Sequence, residues 1–89
     1  MTATYQVLVS DELLPDFHDG NPLMPDGFHV ETVLPWRDPR RGMTKVQVRD
    51  EHASPCWEGK LVDISFVADY DDQGRCTGTH VSDYQPCPG

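Results

Sequence analysis

Between residues 60 and 70 every second side chain is apolar, with Leu61 and Val67 the apolar members of the alternate set. Val62, Ile64, Phe66, Ala68 and Tyr70 fall on one face of an extended chain, with Asp63, Ser65 and Asp69 on the other. No other segment constrains the fold as much, because a strand of this length with one apolar face needs both partner strands and a cover. Asp71-Asp72-Gln73-Gly74 follows as a type I turn, with Gly74 free to take positive φ. Residues 75 to 84 then return antiparallel, which predicts a C-terminal hairpin over 60–84. Its register stays open: a bulged turn sets Tyr70 against Cys76 and Phe66 against His80, whereas a two-residue turn pairs Phe66 with Thr79.

The same period of two recurs upstream. Tyr5, Val7 and Val9 alternate in a first strand, with Leu8 between them suggesting burial on more than one face. Phe28, Val30, Val33 and Leu34 form a second strand that ends at Pro35. Residues 43–50 make the cleanest amphipathic strand, with Val46 and Val48 inward and Lys45, Gln47 and Arg49 outward. Helix is scarce: Ser10 can cap a single turn over residues 11–14, which Pro15 limits. Residues 11–27 form a long connection rich in Pro, Gly and Asp, of a length that usually marks a lid, an arm or disorder. The expectation is a mostly β fold, one small domain over residues 1–89. It has about five antiparallel strands, arranged as a half-open barrel or a small sandwich.

The core of such a fold is thin, since Leu, Ile, Val and Phe together make up about a fifth of the 89 residues. No run approaches the length of a membrane span, and the first ten residues lack the basic start and long apolar stretch of a signal peptide, so the chain is expected in the cytoplasm. Cys56, Cys76 and Cys87 are an odd number without CxxC spacing, which fits a reducing compartment. Nine Val against one Ile and five Arg against two Lys indicate a high-GC genome, phage genomes included.

Charge is segregated along the chain, whose formal net value is −8. Residues 1–36 carry acids and no Lys or Arg. Arg37, Arg40, Arg41, Lys45 and Arg49 then form a basic island, and the acids resume beyond it. The overall negative charge opposes binding to a polyanion, so nucleic acid is not an expected partner.

Several groupings could carry chemistry. His52 and Cys56, with Cys76 and His80, are four residues of the types that bind tetrahedral zinc. The hairpin opposes that site, because it sets Cys76 at the far end of the long strand, about 40 Å of extended chain from Cys56. The same geometry brings Cys87 back towards Cys56, where a disulfide could close and would stay open in a reducing cytoplasm. Residues 69–74 resemble the first half of an EF-hand loop, but the twelfth position is His80 and strands flank it, so it reads as a turn. Asp16, His18 and Asp19 place two carboxylates beside an imidazole, a common arrangement in solvated loops. There is no nucleophile elbow and no Gly-rich phosphate loop, so no catalytic residue, cofactor or metal is predicted and the chain is not expected to be an enzyme.

Recognition is best placed in residues 35–42, where Trp36 stands beside Arg37, Arg40 and Arg41, the residue types most enriched among interface hot spots. The functional expectation is therefore a non-enzymatic protein-interaction module: an accessory, inhibitor or assembly protein that binds another protein through these four residues. Open sheet edges also allow two copies to pair. One alternative is an acidic inhibitor that imitates DNA, presenting Asp16, Asp19, Asp26, Asp69, Asp71 and Asp72. A second is a binding module stabilised by zinc at His52, Cys56, Cys76 and His80.

Overall fold

In a computed structural model of the protein, which describes residues 2–22 and 24–82, five strands form one mixed sheet. They are β1 (Ala3–Ser10), β2 (Phe28–Asp38), β3 (Met43–Asp50), β4 (Leu61–Tyr70) and β5 (Cys76–Ser82), in the spatial order β2-β3-β1-β4-β5. Two short 3-10 turns, Leu14–Asp16 and Pro55–Trp57, are the helical content of the described residues. The mostly β expectation is met.

One pairing departs from an all-antiparallel sheet. β1 is antiparallel to β3, as Tyr5 opposite Val48 and Val7 opposite Val46 show, but it runs parallel to β4. The cause lies in the route after β3. Residues 51–60 carry the chain around the start of β1, fastened there by Gly59 N–H to the Thr4 carbonyl (2.8 Å) and Gln6 N–H to the Lys60 carbonyl (2.8 Å). β4 therefore sets out in the direction of β1.

The long connection 11–27 has a geometric cause as well. β1 and β2 both run antiparallel to β3, so they are parallel to each other, and the chain leaving Ser10 must cross the length of the sheet to begin β2 opposite Asp50. Such crossovers need a dozen or more residues. The first half of this one is packed on the core rather than held out as an arm: Leu13 and Phe17 are buried, and the Phe17 ring lies 5.1 Å from Phe66. Ser10 does end β1 as a cap, its hydroxyl accepting from Leu13 N–H at 3.3 Å. Further on, the Asp19 carboxylate accepts from Val30 N–H (2.7 Å) and holds the segment to β2.

These contacts build a core on one sheet face. Tyr5, Val7, Val9, Val46, Val48, Val62, Ile64, Phe66 and Ala68 supply the sheet side, with Leu13 and Phe17 from the crossover and Ala53 and Trp57 from the β3–β4 connection. Trp57 packs edge-on against Tyr5 at 5.2 Å. Irregular segments here do the covering that helices perform in other folds. The inward residues of β3 and β4 are those the alternation predicts. Tyr70 is the exception: it stands at the strand end and is largely exposed.

The hairpin forms, but along most of its length its register is neither of the two considered. Tyr70 opposes Cys76, as a bulged turn requires, but Thr77 is an extra residue in β5, so Asp69 meets Gly78 and Phe66 meets Val81. Pro35 does not end β2, which continues to Asp38. It is tolerated because β2 is an edge strand whose ladder is interrupted between Val33 and Arg37, where a missing N–H costs no bond.

Candidate functional site

The recognition residues lie on and beyond β2, but not on one surface. Arg37 is opposite Thr44 and shares its face. There its guanidinium pairs with the Asp11 carboxylate, which also accepts from the Thr44 hydroxyl at 2.8 Å. The Thr44 bond, then the Arg37 bond, hold the Asp11 carboxyl below its ordinary value against a smaller opposing effect of desolvation. Trp36, one residue earlier, points to the opposite face. The Lys45 ammonium sits 4.8 Å from its ring centroid, a cation–π contact. Arg40 and Arg41 are exposed in the turn at residues 39–42, where the Asp38 carboxylate accepts from Arg40 N–H (3.1 Å).

Exposure along this edge is unusual for apolar residues. Val33 is 50% and Trp36 43% exposed. Beside them a cleft of about 410 Å³ is lined by Leu14, Val33, Leu34 and Pro35, with Asp11, Arg37 and Thr44 at its polar rim. The site is thus an edge strand with an apolar groove on one face, a Trp on the other and a cationic tip.

The four zinc candidates are not brought together. His80 pairs with Asp69 across the hairpin, its Nδ1 2.7 Å from the carboxylate. Cys76 is a free thiol near the turn, whereas His52 and Cys56 belong to the β3–β4 connection. Cys56 is disulfide-bonded, and the pairing with Cys87 considered above lies outside the described residues. No group of three or more His, Cys, Asp or Glu among the described residues is placed to hold a metal ion. Of the six acids that would imitate DNA, Asp19, Asp69 and Asp71 are engaged internally. Asp71 accepts from Gln73 and Arg75 N–H (2.9 Å each) and closes the hairpin turn.

A larger cavity, about 570 Å³, opens at the other end of the core face. Tyr5, Phe28, Trp57 and Ile64 supply its apolar walls, with Asp50 and His52 at its polar side. Asp50 is 5% exposed; its carboxylate accepts from the Tyr5 hydroxyl and from His52 N–H, both at 2.8 Å. Residues 5, 28, 50 and 57 are remote in sequence, so their convergence left no local motif. One signal was available: Asp50 continues the inward series Val46, Val48, and an acid at an inward position is costly without a partner.

Compared with family models, curated proteins and solved structures, the chain matches none. No helix among the described residues is long and apolar enough to cross a membrane.

Proposed function

We propose that the protein is a non-enzymatic interaction module whose partner is another protein, docked along the outer edge of β2 and its tip. One observation carries this reading: an 11-residue edge strand exposes Val33 and Trp36 beside Pro35 and three arginines. Pro35, the charged residues and the bulges of β2 blunt it against simple strand pairing, so the support comes from the exposed Trp and Arg, the side chains that anchor interfaces. Trp36, Arg40 and Arg41 are the anchors, while Arg37 is partly committed to Asp11 and shapes the groove. On this reading the protein works in the cytoplasm, where the disulfide at Cys56 is exposed to thiol reductants.

The test replaces Trp36, Arg40 and Arg41 by Ala together, leaving Arg37 and its Asp11 contact in place. We expect an unchanged thermal midpoint, because none of the three side chains is buried, and loss of a stoichiometric protein partner that the wild type captures from a lysate of its source or host. Undiminished capture by the folded variant refutes the assignment. A wild-type chain that sediments as a dimer and dissociates in the variant identifies the partner on this edge as a second copy.

A further inference from the structure

We propose that the cavity beside Asp50 is a second binding site, separate from the β2 edge, and that its ligand is an organic ammonium ion with an aromatic or aliphatic body. The carboxylate is the starting point. It is almost wholly buried, yet its two hydrogen bonds come from neutral donors, the Tyr5 hydroxyl and His52 N–H, and no cation among the described residues neutralises it. Buried charges are ordinarily paired, and a carboxylate has about four acceptor positions, so this one retains capacity for a charged donor. Asp50 lines the cavity, and that capacity is therefore available to a bound molecule.

The walls fit the same class of ligand. Tyr5, Phe28 and Trp57 are all at the cavity, and aromatic faces attract ammonium groups while offering apolar area to the rest of the molecule. The volume, about 570 Å³, suits a small organic compound. An anion would face Asp50 without compensation, and a wholly apolar molecule would bury that carboxylate further from water. One side of the cavity is also preformed. Gly27 holds φ +85°, and a Cβ there would come within 2.7 Å of the His52 ring, so glycine lets the imidazole seat where it does.

Phenethylammonium and its neutral counterpart phenethyl alcohol test the proposal on the intact chain. Backbone amide shifts of His52, Ala53 and Ser54 and the indole N–H of Trp57 provide the readout at neutral pH. We expect saturable shifts with the ammonium, and binding of the alcohol weaker by about tenfold or more, the loss of one ion pair in a partly desolvated site. Asp50→Asn should reduce ammonium affinity by a similar factor. If that variant fails to fold, the comparison of the two probes on the wild type decides alone. Equal affinity for both probes, no saturable shift, or shifts centred on Val33 and Trp36 would each overturn the proposal.

Discussion

Asp11 shows how one side chain can tie three segments together. Standing just beyond β1, it accepts from Thr44 on β3 and pairs with Arg37 on β2, and its own N–H donates to the Gly42 carbonyl at 2.8 Å. Because the folded state holds its carboxyl below the ordinary value, the ionised form favours folding. That contribution is fully present above the unfolded carboxyl's pKa and disappears as pH falls through the lowered folded value. Asp11→Asn should therefore be less stable than the wild type at neutral pH, and the difference in urea midpoint should shrink in strong acid. A difference that widens on acidification would contradict the role. At this scale much was legible: Val7, Val9, Val46, Val48 and Phe66 are buried where alternation puts them. Asp11 was not, since Thr44 and Arg37 come from distant strands, and of Asp50 only the inward position was legible, not the Tyr5 hydroxyl from β1 that meets it.

Among the elements, the crossover 11–27 departs most from its appearance in the sequence. Its Pro, Gly and Asp content describes a chain with little regular structure, and its described residues form one 3-10 turn, Leu14–Asp16, but that content carries no information on whether the segment is packed. Packing is decided by topology: a connection between two parallel strands must traverse the sheet, and Leu13 and Phe17 are then placed over its apolar face. Phe17→Ala should cost about 3 kcal/mol, the usual range for a buried Phe, whereas Val33→Ser on the exposed edge should change stability by no more than about 0.5 kcal/mol. Chemical denaturation of the two variants provides the comparison. If Phe17→Ala is as mild as Val33→Ser, the segment is not part of the core. The β2 end and the hairpin register were misjudged for a related reason, since bulges at Val33–Arg37 and at Thr77 depend on cross-strand fit.

Across the whole molecule, charge and connectivity are unevenly distributed. Arg37, Arg40 and Arg41 of the basic island gather at the β2–β3 turn, while Arg49 lies at the far end of β3, opposite Thr4 and His29, and the core face carries the buried Asp50. Connectivity centres on β1, which lies between β3 and β4 although it precedes both by many residues. A chain ending at residue 60 retains β1, β2 and β3 but lacks Phe66, the ring against which both Phe17 and Phe28 pack. We expect this fragment to show no cooperative thermal transition by circular dichroism, whereas the full chain does; a cooperative fragment would show that three strands suffice. For a ribosome making this protein, a central strand is made before either of the strands that flank it. β1 emerges before both of its neighbours, and β4 follows it only after β2 and β3, so translation that stops before β4 leaves an apolar strand open to chaperones, proteases or another nascent copy.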